Sequence, residues 1–359
     1  MTSVAADRLV CAILAGGSGT RFWPLSRRDK PKQLLTFFDD ATLLRQTSDR
    51  VAPLCPPARQ LVVTAARLAT AVRRDLPDVP PAHVLPEPTP RNTAPCMAVA
   101  AHAARTLDPD AILCLLPADH WIADVDAFRA ALQTAARHAD AGHLVTLGVQ
   151  PTHPETGYGW IERGDAVGDD AFAVERFVEK PDLARAVRYL HGGRHLWNAG
   201  VFVVRADRAL AALRVHQPVL SAALAPLEGL APGSATWLAA VEPAFARCPA
   251  ISIDHGLAEH ETGIRVVRLD AGWSDVGTWQ SLLGLREVGT ANVVRGDVVA
   301  LDCEDSVLVA DGLLLAGVGL RGVAVVATRD AVLVVPVERS QDVRGVVDEL
   351  VRRGRIDLT

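Results

Sequence analysis

None of the six cysteines, Cys11, Cys55, Cys96, Cys114, Cys248 and Cys303, has a partner at C-x-x-C spacing, so neither a zinc knuckle nor a dithiol redox motif is present. Several lie inside apolar runs, as Cys114 does between Ala111 and Leu116, the usage of buried free thiols in a reducing compartment. An excess of positive charge is missing too. The 37 Lys and Arg stand against 42 Asp and Glu, a net charge of −5. That excludes a generally basic nucleic-acid-binding surface and leaves room only for a local cationic cleft. There is no long uninterrupted apolar run: Arg321, Arg329 and Asp330 break the most apolar stretch, residues 313–337, so no membrane span is expected. The first residues lack a basic segment followed by an apolar one, so no secretory signal is expected. These absences together predict a cytoplasmic, soluble chain.

What is present is ample material for a core. Apolar residues make up 49% of 359 positions, a length that suggests two or three domains at about 100–200 residues each. Up to residue 150, apolar strand-like runs (Leu9 to Ala15, Leu61 to Thr64, Ala111 to Leu116, Leu144 to Val149) alternate with helical patterns (Thr42 to Val51, Arg67 to Asp75, Ala94 to Thr106, Asp126 to Ala139). Continuous apolar strands separated by helices predict an α/β fold with a parallel sheet covered on both faces. Ligands in such sheets bind beyond the carboxyl ends of the strands. The glycine turn after Ala15 and the turn from Pro117 to His120 both fall at that edge. From about residue 292, short Val/Leu strands recur with Asp and Gly between them, up to Val332–Val335, which reads as a compact β region of the solenoid kind. Residues 342–353 then form an amphipathic helix pattern with Val343, Val346, Val347 and Leu350 on one face.

The strongest local feature is the run from Ala15 to Gln33, AGGSGTRFWPLSRRDKPKQ. Gly16, Gly17 and Gly19 after a buried strand let a backbone approach a ligand and point N–H groups at an anion. No Lys-Ser or Lys-Thr follows, so this is not a Walker loop, and the dinucleotide pattern fails because Phe22 stands where its last glycine should be. That failure disfavours a nicotinamide oxidoreductase. Arg21 and Lys32 flank the glycines instead. Taken alone, the stretch could equally be a glycine turn with a solvated basic tail.

The same run resembles the glycine-rich loop of the sugar-1-phosphate nucleotidylyltransferases, in the version found in mannose-1-phosphate guanylyltransferases. The resemblance continues in order through RNTAP (91–95), LPADH (116–120), PETGYGWIE (154–162), FVEKP (177–181), WNAG (197–200), SID (252–254) and GWSDVGTW (272–279), and so covers nearly the whole chain. It implies a Rossmann-like, GT-A-like nucleotidyltransferase domain with a mixed, mostly parallel sheet over residues 1–285. It also implies a short left-handed β-helix-like domain with a terminal helix over 290–359, since the repeat alone does not fix the handedness. Longer bifunctional relatives carry a phosphomannose isomerase domain, for which the residues after about 290 are too few.

The resemblance implies transfer of GMP from GTP to mannose 1-phosphate, giving GDP-mannose and pyrophosphate. The chemistry suits the residues. The attacking sugar phosphate is already an anion near neutral pH, with a second pKa of about 6. What is required is therefore cations and a metal to bring polyanions together and to stabilise the leaving group, rather than a Ser-His-Asp apparatus. Arg21 and Lys32 are expected to hold the triphosphate and the departing pyrophosphate, and Lys180 the sugar phosphate. Ala15, Gly16, Gly17, Gly19, Thr20, Pro117 and Asp119 are expected around the nucleotide. Glu87 would accept from guanine N1–H and the exocyclic amine, a pairing adenine cannot reproduce, with Asn92 and Thr93 beside it. Asn92 and Thr93 also suit the start of a helix, as caps. Gly159, Glu179 and Asn198 match the family's hexose contacts. Asp119 and Asp275 match its Mg²⁺ ligands, although two aspartates so far apart in sequence would otherwise read as a cap and a surface turn. His120 is expected to hold structure by hydrogen bonding, since no proton acceptor is needed there.

Two positions depart from the family pattern: Cys96 where Ala is expected, read as a packing variation, and Ala199 where Ser is more common. The resemblance also implies a homodimer to which the C-terminal region contributes. The competing readings are a guanylyltransferase for another sugar 1-phosphate, such as a manno-heptose, and a non-catalytic nucleotide-sugar sensor. A sensor would be expected to have lost the loop cations or the aspartates, and all are present.

Overall fold

The computed structural model describes residues 7–17, 19–37, 40–168, 170–286 and 289–359. By compactness the chain falls into two units that interleave along the sequence. One holds the chain up to Gly16, Arg45–Ala118 and Ile122–Trp273; the other holds Gly17–Leu44, Asp119–Trp121 and Ser274–Thr359. This division differs from the linear one expected at residues 285 and 290, because the segment after Gly16 shares a core with the C-terminal strands.

In the first unit, the apolar run Leu9–Ala15 forms strand β1 at the heart of a nine-stranded sheet. Its alternation is the period-2 signature of a strand covered on both sides: Val10 and Ala12 enter one core cluster, Leu9 and Cys11 the other. The remaining strands are β2 (Gln60–Ala65), β3 (Val84–Glu87), β4 (Ile112–Pro117), β5 (Val145–Val149), β6 (Gly159–Gly168), β7 (Ala171–Glu179), β8 (His195–Arg205) and β9 (Arg265–Leu269), in the order β3-β2-β1-β4-β8-β5-β9-β7-β6. Strands β3, β2, β1 and β4 are parallel. Strand β8 enters antiparallel to β4 and β5, while β5 and β9 pair in parallel. The sheet is thus mixed, with its parallel part confined mainly to one half rather than prevailing throughout. Helix α1 (Thr93–Leu107) covers one face with its alanines, and helix α2 (Val125–Asp140) covers the other through Phe128, Ala131, Leu132, Ala135 and Ala136.

The second unit is built on short strands: β10 (Val293–Arg295), β11 (Val298–Leu301), β12 (Val307–Ala310), β13 (Leu315–Val318), β14 (Val323–Ala327) and β15 (Val332–Pro336). Strands β10, β12 and β14 stack in parallel, as do β11 and β13, the pairing of a β-helix-like coil. An antiparallel β15 closes the stack. The strand expected at residues 313–315 begins instead at Leu315. The interior of this unit is shared between the coil and the segment after Gly17. Phe22, Trp23, Leu35 and Phe37 pack with Trp279, Val307, Val326 and Val343. Phe22 meets Trp279 edge-on with ring centroids 4.9 Å apart. The Trp23 indole N–H donates to the Leu358 carbonyl at 2.8 Å.

The terminal helix, α3 (Val343–Arg352), buries Val343 and half-buries Val347 and Leu350 in that same core, while Val346 stays exposed. Most of the apolar face expected on this helix therefore packs internally. Among the described residues, no helix is long and apolar enough to cross a membrane.

Candidate active site

Several strands of the first unit bring candidate groups into place. Strand β1 ends at Ala15, whose carbonyl accepts from the Thr64 hydroxyl at 3.0 Å, and Leu14 pairs in register with Pro117 of β4. Glu87 closes β3, a strand not apparent in the sequence, and pairs with Ala65. Its carboxylate is buried and lies against Gly16: a Cβ there would come 3.0 Å from Glu87 Oε2. Burial raises the Glu87 pKa, and a hydrogen bond from Cys96 pulls it partly back. Cys96 Sγ donates to Glu87 Oε1 at 3.1 Å. Burial and the neighbouring Glu87 charge push this thiol well above its ordinary range, so it stays protonated and able to donate. The cysteine is a hydrogen-bonding partner of the carboxylate, more than the packing variation expected of it.

Asn92 and Thr93 open α1. Asn92 adopts φ 67° and its side-chain oxygen accepts from the Thr93 amide at 2.9 Å. Thr93 Oγ1 accepts from the Ile253 amide at 2.9 Å. Asn92 thus caps α1, while Thr93 ties the start of the helix to the 252–254 segment; neither role excludes the nucleotide contact expected of them.

Gly159, Glu179 and Asn198 converge. Gly159 on β6 pairs with Glu179 on β7, and a Cβ at Gly159 would lie 2.8 Å from Glu179 Oε2 and 3.3 Å from Asn198 Cβ. The absence of a side chain there is what lets the two polar groups approach. Asn198 is buried and closely held. Its oxygen accepts from Thr146 Oγ1 at 2.7 Å and from the Gly200 amide at 3.1 Å, and its amide donates to Asp254 Oδ1 at 3.0 Å. One amide N–H remains for an outside acceptor. Asp254, from the 252–254 motif, thus joins the cluster without having been singled out in sequence. Burial, and then the Glu179 charge, raise its pKa to about 6. Lys180 follows Glu179 with φ 45°, a conformation sparsely used outside glycine, and its ammonium reaches Glu179 Oε1 at 2.5 Å. Backbone strain of this kind collects where a side chain must be aimed.

The second unit holds the loop cations and both aspartates. Gly19 has φ 59°, and a Cβ there would fall 2.3 Å from Lys32 Cβ, so the glycine is required by its backbone and by the close passage of Lys32. Lys32 is buried, yet its ammonium donates to Asp119 Oδ2 at 2.8 Å and to the Asp275 carbonyl at 2.5 Å. Burial raises the Asp119 pKa, but the Lys32 and His120 charges outweigh it and hold the carboxyl below its ordinary range. The Asp275 carboxylate accepts from the Gly277 amide at 3.1 Å, and Val276 between them sits at φ 45°, a genuine outlier for a β-branched residue. The Thr278–Ser281 capping box starts the next helix. Arg21 is exposed, and its Nη1 donates to Gln341 Oε1 at 3.1 Å. Sequence reasoning had no means to find Gln341, which lies 320 positions away.

Among the described residues, no cluster of three or more His, Cys, Asp or Glu side chains could hold a metal ion by itself. Asp119 and Asp275 nevertheless fit Mg²⁺. The Lys32 ammonium brings the two residues together, through the Asp119 carboxylate and the Asp275 backbone carbonyl, and a hard ion that prefers one or two carboxylates plus phosphate and water needs no fuller protein cage.

Two family models match the chain: nucleotidyl transferase over residues 10–289, and the mannose-phosphate isomerase/GMP-like β-helix domain over 296–350. Xanthan biosynthesis protein XanB of Xanthomonas campestris pv. campestris is 45% identical over 349 residues, 97% of this chain and 74% of XanB. The mannose-1-phosphate guanylyltransferase of Escherichia coli K12 is 39% identical over 361 residues, 98% of this chain and 75% of that protein. Among solved structures, a mannose-1-phosphate geranyltransferase from Thermus thermophilus superposes with a TM-score of 0.85 at 37% identity, covering 96% of this chain and 99% of the other. The motifs that frame Lys32, Asp119, Glu179 and Asp275 are thus set in a chain that belongs to the nucleotidyl transferase family, among the mannose-1-phosphate guanylyltransferases.

Proposed function

We propose that this protein transfers GMP from GTP to mannose 1-phosphate, releasing pyrophosphate and GDP-mannose. The convergence of Lys32, Asp119 and Asp275 beside the glycine-rich loop supports this reading best, because phosphoryl transfer needs a focused cation and carboxylate set and little else. A phosphate oxygen of mannose 1-phosphate attacks the α-phosphorus of GTP in line. The bond from that phosphorus to the bridging oxygen breaks, and the electron pair leaves with pyrophosphate. Arg21 and Lys32 hold the β- and γ-phosphates and the departing group, while the backbone of Gly16, Gly17, Gly19 and Thr20 lies along the phosphates. Lys180 holds the sugar phosphate, Glu179 and Asn198 bind hexose hydroxyls, and Glu87 reads guanine. Asp119 and Asp275 would hold Mg²⁺, which supplies charge neutralisation for the phosphate oxygens when bound. In sequence terms, residues 1–285 make the nucleotidyltransferase domain and 290–359 the β-helix-like domain. The reading further places the enzyme in the cytoplasm as a homodimer without nucleic-acid or membrane partners.

Arg21→Ala tests the assignment. Turnover should fall by about two orders of magnitude or more with little change in melting temperature, since Arg21 is exposed. A fully active variant would sink the role of Arg21. Mg²⁺ is tested by chelation: EDTA should abolish pyrophosphate release, and equal rates in EDTA and excess Mg²⁺ would reject the metal.

A further inference from the structure

We infer that Arg344, on the C-terminal helix, is a phosphate-binding residue of the transfer site, placed to hold the terminal phosphates of the nucleotide and the released pyrophosphate. This rests on the functional reading above and extends the site beyond the family's catalytic segment. The second unit contains a cavity of about 310 Å³ lined by Gly19, Thr20, Arg21, Arg344 and Asp348. Three of these residues come from the glycine-rich loop and two from the first turns of α3, so helix and loop form one wall.

The placement follows from the core. Phe22 and Val343 lie in the same buried cluster, which fixes the start of α3 against the 20–22 turn. One residue outward from each anchor stand Arg21 and Arg344, both exposed. Gln341, just before the helix, holds Arg21 by accepting from its Nη1, which leaves the other guanidinium donors available. Among the described residues, Arg344 makes no hydrogen bond or ion pair. The cavity thus carries two guanidinium groups, the fork geometry suited to bidentate phosphate binding, beside the N-terminal end of a helix. Asp348 opposes them. Its carboxylate stands one turn beyond Arg344 and repels a phosphate in the same space, so two cations outweigh one anion.

This arrangement makes opposite predictions for neighbours on one helix. In the reverse reaction, with GDP-mannose and pyrophosphate as substrates, Arg344→Ala should raise the KM for pyrophosphate about ten-fold, leave that for GDP-mannose nearly unchanged, and weaken pyrophosphate binding by calorimetry in the same proportion. Arg344→Lys, which keeps the charge and loses the fork, should fall between. Asp348→Asn should lower the KM for pyrophosphate. Both positions are exposed, and melting temperatures would show the variants folded. If the native protein transfers GMP and all three variants keep its KM for pyrophosphate, the inference is overturned while the functional reading stands. If the native protein releases no pyrophosphate from any nucleotide and sugar-phosphate pair, the functional reading falls first.

Discussion

Lys32 and Asp119 form a 2.8 Å ion pair in which the lysine is almost wholly buried, and the same ammonium is capped by the Asp275 carbonyl. The pair links the two segments that carry the candidate metal ligands to the glycine-rich loop. A cation held there is oriented before any phosphate arrives, which is what stabilisation of developing charge requires.

Lys32→Met should therefore fail in two ways. It leaves the Asp119 carboxylate and the Asp275 carbonyl without their donor, at a cost of about 1–3 kcal/mol in unfolding free energy. It should also lower kcat by about two orders of magnitude. Adding Asp119→Asn should recover part of the stability and none of the activity. Denaturant unfolding and steady-state rates of the single and double variants check both halves.

Gly17 and Gly19 should part company. Gly19→Ala places a Cβ against the Lys32 backbone in a left-handed conformation and should destabilise the chain by more than about 1 kcal/mol. A Cβ at Gly17 meets nothing within 4 Å, so Gly17→Ala should fold with an unchanged melting temperature. If the loop backbone lies against phosphate, Gly17→Ala should still raise the KM for GTP. An unaltered KM would remove Gly17 from the nucleotide site.

Glu87 and Cys96 should act on base choice. Glu87→Gln replaces an acceptor-only group with one that presents a donor to guanine, and should reduce the preference for GTP over ATP by about two orders of magnitude in kcat/KM. Cys96→Ala removes one neutral donor to Glu87 Oε1 and should cost only several-fold in kcat/KM for GTP. A Cys96→Ala effect as large as that of Glu87→Gln would contradict the subordinate role given to the thiol.

Asp254 should leave a mark on stability. Burial and Glu179 raise its pKa from the ordinary 3.8 to about 6, with Lys180 and His255 acting the other way. A raised carboxyl binds its proton more tightly in the folded chain. Its contribution is therefore full below about pH 4, shrinks as pH rises, and levels off above about pH 6. Asp254→Asn keeps an acceptor for Asn198 and removes this titration. The variant should gain up to about 2 kcal/mol on the native protein between pH 4 and pH 7.5. Urea unfolding at the two pH values checks this, and a difference constant with pH would contradict it.

The sequence announces what is local. Leu9–Ala15 appears as a strand with its observed limits because seven apolar residues run into glycines, and the helix patterns at 94–106 and 126–139 lie within a residue or two of α1 and α2. Contacts made across long stretches of chain stay hidden. Nothing near residue 22 says that its ring packs on Trp279, or that Arg21 meets Gln341. Glu87 was legible through its motif, but the thiol hydrogen bond that orients it depends on α1 lying beside the end of β3. Asn198 stands out in the sequence through its motif, while the three hydrogen bonds that occupy it come from β5, β8 itself and the 252–254 segment. The unequal halves of the sheet were hidden for the same reason, since the direction of β8 is set by where the chain returns.

The central claim is guanylyl transfer to mannose 1-phosphate, and one measurement addresses it most directly: pyrophosphate release with GTP, ATP, UTP and dTTP, each against mannose 1-phosphate and other sugar 1-phosphates including a manno-heptose. GTP with mannose 1-phosphate should exceed every other pair. An equal or faster rate with another nucleotide or another sugar phosphate would contradict it.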